Sequence, residues 1–174
     1  PTSNLASNTQ YFVTFASGTV KDMAGNSYAG TSTYDFKTMS DTIAPVVSVF
    51  NPVDGATGVA VGSNITLTFS EAIQRGSGVI QLRSGSAAGP VVETFDAASS
   101  SRLSIADKIL TLDPTSDLST NTQYFLTLAA GSIKDLAGNS YAGTTTYDFK
   151  TASVTDSRFN IEINYTGDAA YKPY

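Results

Sequence analysis

The sequence contains no cysteine, no histidine and no tryptophan. Without histidine or cysteine the common zinc sites are excluded, and so are Ser-His-Asp and Cys-His catalysis. Without cysteine there is also no disulfide framework, so the core alone must hold the fold. Charge is sparse: charged residues make up 14% of the chain, against roughly 25% in an average soluble protein. The balance is acidic, with 10 Lys+Arg against 15 Asp+Glu and a net charge of −5. Nucleic acids and anionic membranes call for clustered Lys and Arg, so no nucleic-acid partner and no membrane insertion are expected. The longest apolar runs are a handful of residues, such as 45–50, far below the ~20 that span a bilayer. The chain opens on Pro1 with neither a charged n-region nor an apolar h-region, so no signal peptide is readable.

What the chain does hold is a copy of a stretch of itself. Residues 1–38, PTSNLASNTQYFVTFASGTVKDMAGNSYAGTSTYDFKT, return as residues 114–151, PTSDLSTNTQYFLTLAAGSIKDLAGNSYAGTTTYDFKT. The two align without a gap at an offset of 113, and 28 of the 38 positions are identical. A period this long is a whole domain, not a solenoid turn. The expected organisation is the C-terminal part of a preceding repeat (1–38), a complete repeat (39–151), and a linker with the first strand of a following domain (152–174). The segment reads as a piece of something longer. Val13/Leu126, Phe15/Leu128, Val20/Ile133 and Met23/Leu136 exchange one apolar residue for another, as core positions permit.

The hydropathy pattern is β throughout. Ile65, Leu67 and Phe69 alternate with threonines, Tyr124 falls on one face with Leu126 and Leu128, and Tyr147 with Phe149. Period-two alternation marks half-buried strands. Residues 79–83, 91–95, 103–105 and 109–112 are further short runs, separated by turn signals such as Asp54-Gly55, Gly89-Pro90 and Gly138-Asn139. Only Glu71–Gln74 suggests a single helical turn. Seven or more short antiparallel strands in about 110 residues give an all-β sandwich of the Ig-like kind. Tyr124, shortly after Leu118, has the placing of a tyrosine corner, and Leu5 with Tyr11 repeats it. In the half copy two strands are expected, over residues 10–15 and 31–37.

These residues resemble a family. In order, Asp41-x-x-Ala44-Pro45, Asn51-Pro52-x-Asp54-Gly55, Ile65-Thr-Leu-Thr-Phe-Ser-Glu71, Leu110-Thr-Leu-x-Pro114, Leu118…Tyr124, Lys134-Asp-x-Ala-Gly-Asn139 and Phe149-x-Thr151 are similar to the bacterial immunoglobulin-like domain of the SbsA type. The resemblance implies an extracellular, tandemly repeated sandwich of S-layer proteins, large adhesins and secreted enzymes, and implies no chemistry. Further on, Phe159, Ile161, Ile163 and Tyr165 alternate as a strand. That stretch resembles the opening of secreted metzincin-type metalloproteases, without the His-Glu-x-x-His helix that would carry a metal.

Candidate chemistry rests on carboxylates. Asp135, in Lys134-Asp-x-Ala-Gly-Asn139, is a calcium ligand on one reading. On the other it simply accepts backbone N–H bonds across a tight turn, with Gly138 or Asn139 at positive φ, which the single carboxylate of that tract favours. Asp41, at the repeat junction, is the stronger calcium candidate, since a linker carboxylate there can meet Asp54 or a loop of the neighbouring repeat. Glu71, Glu93 and Asp96 read as scattered surface acids, and nothing marks the paired carboxyls in a cleft that a glycosidase needs. Phe12 and Phe125 lie on the face opposite Tyr124, where packing against a sheet is the default over a sugar platform.

The function expected is that of a non-catalytic spacer in a secreted or cell-surface bacterial protein, with neighbouring Ig-like domains as partners and calcium as the one conceivable cofactor. The alternative is a carbohydrate- or surface-binding accessory module of a secreted enzyme. Two strands with one apolar face are marginal alone. Residues 1–38 are therefore expected to be completed in trans, by strand addition or swapping between chains.

Overall fold

The computed structural model describes residues 1–153. Its elements are β1 (Gln10–Phe15), β2 (Thr31–Lys37), β3 (Val47–Asn51), β4 (Ala56–Val59), β5 (Ile65–Phe69), β6 (Ile73–Arg75), β7 (Val79–Ser84), β8 (Val91–Asp96), β9 (Leu103–Ala106), β10 (Ile109–Leu112), β11 (Gln123–Leu128), β12 (Ile133–Asp135) and β13 (Thr144–Thr151). No described residue is helical. The strand proposed at Phe159, and with it the metalloprotease resemblance, lies outside the described residues.

Strands β3 to β13 form the complete repeat. One sheet runs β3-β5-β10-β9, a second β4-β13-β11-β7-β8, and a short ribbon pairs β12 with β6. All neighbours are antiparallel except β4 and β13, which run parallel. The threonines that alternate with Ile65, Leu67 and Phe69 point away from the core, and the three apolar side chains are buried. Tyr124, Leu126 and Leu128 on β11 and Tyr147 and Phe149 on β13 are buried against them. The period-two reading thus finds its faces, and the all-β sandwich stands.

The tyrosine corner is present: the Tyr124 hydroxyl accepts from the Ser119 N–H at 2.9 Å. In the half repeat the Tyr11 hydroxyl accepts from the Ala6 N–H at 2.8 Å. Strands β1 and β2 form a hairpin of their own, at the bounds expected.

Three local expectations are corrected. Glu71–Gln74 is no helical turn: a bend at Ser70 and Glu71 leads straight into β6, because Ile73 is buried and pairs with Asp135. Leu136 and Met23 are not core positions. They sit on the exposed tip of the turn after β12 and its copy. Phe12 is exposed rather than packed.

Candidate functional site

The tract after β12 is a tight turn. Gly138 adopts φ 98°, open to glycine at no steric cost, and its N–H donates to the Asp135 backbone oxygen at 3.3 Å. Asn139 then comes back over Asp135. Its backbone N–H donates to Oδ1 at 2.7 Å, and its side-chain Nδ2 donates to Oδ2 at 2.7 Å. Asp135 is buried, so both oxygens need such donors. Asp22 and Asn26 repeat the arrangement at 2.8 Å for both bonds. There the Asn26 hydrogen bonds hold the Asp22 carboxyl below its ordinary range.

The same asparagine reaches the repeat junction. Its Nδ2 also lies 3.2 Å from the Asp41 backbone oxygen and 3.3 Å from that of Ile43. On the other side of the junction, the Ser7 Oγ donates to the Met39 oxygen at 3.0 Å and accepts from the Asp41 N–H at 2.7 Å. The Asn8 N–H donates to the same Met39 oxygen at 3.0 Å. Residues 4–8 of the half repeat thereby line one groove with Asp41, Glu71 and Leu136.

Three carboxylates come together here, two of them, Asp41 and Glu71, lining the groove and the third, Asp135, buried beside it. Asp41, Glu71 and Asp135 each bring an oxygen within 4.8 Å of the others. None of them forms an ion pair with a described residue; the one ion pair among the described residues, Arg102 with Asp113, lies away from this groove. Burial pushes the Glu71 carboxyl up from its ordinary value, and the charges of Asp135 and Asp41 push it further. Chemically the group is a cluster of carboxylate oxygens, the donor type that hard cations take.

Asp41 and Asp135 are thus brought together, and Asp54 is not with them. Its Oδ1 accepts from the Asp148 N–H at 3.1 Å, and its charge acts on Tyr147 instead. Burial first, then Asp54 and Asp148, drive the Tyr147 hydroxyl far above its ordinary range. Glu71 and Asn139 were the residues missed. The signal for Glu71 was its place two residues past the end of β5, where the chain must bend toward β6; for Asn139 it was the repeated Asp-x-x-x-Asn spacing.

The sequence matches the bacterial Ig-like domain over residues 1–38 and again over 41–151. The chain belongs to the bacterial Ig-like domain family. Bacterial Ig-like domains are generally non-catalytic modules, and they occur in extracellular or surface proteins of bacteria. Among curated proteins none matches the chain. No helix among the described residues is long and apolar enough to cross a membrane.

Proposed function

We propose that this chain is a non-catalytic spacer of the SbsA type in an extracellular or cell-surface bacterial protein, and that its work is to hold successive repeats at a fixed angle. The observation that carries this reading is the hydrogen bonding of the junction from both sides. Ser7 and Asn8 of the half repeat hold Met39 and Asp41, while Asn139 of the complete repeat holds Asp41 and Ile43. A linker whose carbonyls are taken by both neighbours resists bending more than one solvated along its length. The test is NMR relaxation. Amides of β1 and β2 are expected to report the same overall tumbling time as those of β11, and Ser7→Ala combined with Asn139→Ala should shorten the β1 and β2 value. Independent tumbling in the unaltered chain would remove the stiff-spacer reading.

The calcium expectation carries into this proposal in altered form. Asp41, Glu71 and Asp135 are the ligands we propose, with Asp54 left out. Calcium takes six to eight oxygens, so backbone oxygens or water would complete the shell. Because Asp41 belongs to the linker, an ion here would brace the same joint.

A further inference from the structure

The two sheets of the complete repeat turn different surfaces to solvent. On the second sheet Phe125 lies between Arg83 and Asp148, and Lys150 lies opposite Gln123. The outward residues of the first sheet are uncharged along the whole length of its strands. Register sets Val49, Thr68, Ile109 and Ala106 side by side across the four strands, with Thr66 beside Thr111 in the next row. The remaining places in that row are an asparagine and a serine. Leu67, Leu110 and Leu112, which alternate with them, are buried, while Val49 and Ile109 are exposed. Short and β-branched side chains on a pleated sheet make a flat, stiff face.

Charge returns at the two ends of this face, on the hairpin β9–β10. Arg102 precedes β9 and Asp107 follows it; Lys108 precedes β10 and Asp113 follows it. All four are exposed. Arg102 and Asp113 pair at 2.9 Å at one end, and Asp107 with Lys108 forms the turn at the other. Each strand of the hairpin therefore has a cation at one end and an anion at the other. Such a pattern is complementary to itself when turned end for end. A two-fold axis lying across the strands sets Arg102 of one copy over Asp107 of a second, and Lys108 over Asp113. A two-fold axis along the strands would instead lay the hairpin over β5 and β3, whose outward residues offer it no charge.

We propose that the outer face of β3-β5-β10-β9 docks a second copy of this chain, sheet against sheet, about a two-fold axis lying across the strands. The occupant follows from charge. Copies that each carry −5 repel one another, and like charges set face to face are costly. This face brings no ionisable group to its middle, as the centres of protein interfaces do, and its rim offers each end the opposite charges of the other. An isologous contact needs such self-complementarity. Threonine rows from both copies then meet, Thr68 of one against Thr66 of the other and Ile109 against Thr111. The rim pairs fix orientation more than they add affinity. Four strands about 4.8 Å apart and about four residues long make a small face, so the association is weak and reversible.

Sedimentation equilibrium of the full chain tests this, over concentrations from about 10 μM to about 1 mM. A reversible monomer–dimer equilibrium is expected within that range. Thr68→Lys sets an unpaired ammonium between the two sheets and should raise the dissociation constant at least about tenfold. Thr146→Lys adds the same charge on the outer face of the second sheet and should leave it unchanged. Both variants should melt like the unaltered chain when dilute. Lys108→Asp, which meets Asp113 of the second copy, should also weaken the dimer at least about tenfold. Adding Asp113→Lys to it should restore the dimer, a rescue that misfolding cannot produce. A chain that stays monomeric throughout the range overturns the proposal. So does a dimer that Thr68→Lys leaves intact, whether it forms through residues 1–38 or any other face, or a charge exchange that restores nothing.

Discussion

The ring of Phe50 lies almost parallel to that of Tyr147, at 17° and 4.4 Å between centroids, and the Tyr147 hydroxyl donates to the Pro52 oxygen at 2.7 Å. One side chain thus ties β3 to β13 twice, once by its face and once by its tip. Tyr147→Phe keeps the stack and leaves a buried carbonyl without its donor. The expected loss is about 1–2 kcal/mol, read as a lower urea midpoint at unchanged slope. An unaltered midpoint would mean that water replaces the hydroxyl.

Leu67 and Tyr124 are both buried, yet they stabilise by different means. Leu67→Ala opens a cavity between the sheets and should cost about 2–5 kcal/mol. Tyr124→Phe loses only the bond from the Ser119 N–H, on the order of 1–2 kcal/mol. Equilibrium unfolding of the two variants should rank them in that order; the reverse order would relocate the centre of the core.

Glu71 gives a pH dependence of definite sign. Its carboxyl is raised in the folded state, so the folded chain binds the proton more tightly than the unfolded one, and this group's contribution to stability falls as pH rises through the carboxylate range. Above the raised value the penalty is constant. Glu71→Gln should therefore raise the melting temperature at pH 7 in chelator and leave it nearly unchanged below about pH 4, where both states are protonated. A variant less stable at pH 7 in chelator would show that the carboxylate is favourably engaged.

Calcium should raise the melting temperature of the unaltered chain by mass action on the folded state. Glu71→Gln and Asp41→Asn should each reduce that rise, and Asp54→Asn should leave it alone. Identical melting in millimolar calcium and in chelator would withdraw the ion from the account.

Gly76 is a matter of space. A Cβ there would sit 1.9 Å from the Gly131 oxygen, where the Gly76 and Ser77 N–H groups each donate at 2.9 Å to the Ser132 and Gly131 oxygens. Gly76→Ala should push β6 off β12 and cost about 1–3 kcal/mol as an overpacking strain. Thermal melting checks it against Gly85→Ala, where no heavy atom is near and the positive φ of 78° alone is at issue.

How much of this was legible follows from what alternation can encode. Strands β5, β10 and β11 carry one buried and one open face, so their period shows in the residues themselves. Strands β6 and β12 are three residues each, too short for a period to appear, and β4 with its Ala56-Thr-Gly-Val59 offers no apolar rhythm. Its parallel pairing with β13 comes from the path of the chain, which no local pattern records. In the carboxylate cluster, Asp41 and Asp135 were readable as junction and turn acids. Glu71 was not, because its nearness to them depends on the bend after β5. Asp54 was grouped with Asp41 only as an acid that the linker could meet; its oxygen serves the Asp148 N–H instead, and it stands outside the cluster.

The parallel pairing of β4 and β13 bears on how the repeat would answer to force. Val47 begins β3 opposite Phe69, at one end of β5, while Thr151 ends β13 opposite Val59, whose chain leads on to the Ile65 end. Tension entering at Asp41 and leaving at Thr151 therefore pulls the first and last strands in opposing directions along their own axes. The hydrogen bonds beside β13, to β4 on one edge and β11 on the other, lie across that pull and must slide together rather than break singly. A chain of such repeats would extend stiffly and give way by whole repeats, more like a string of latches than a spring.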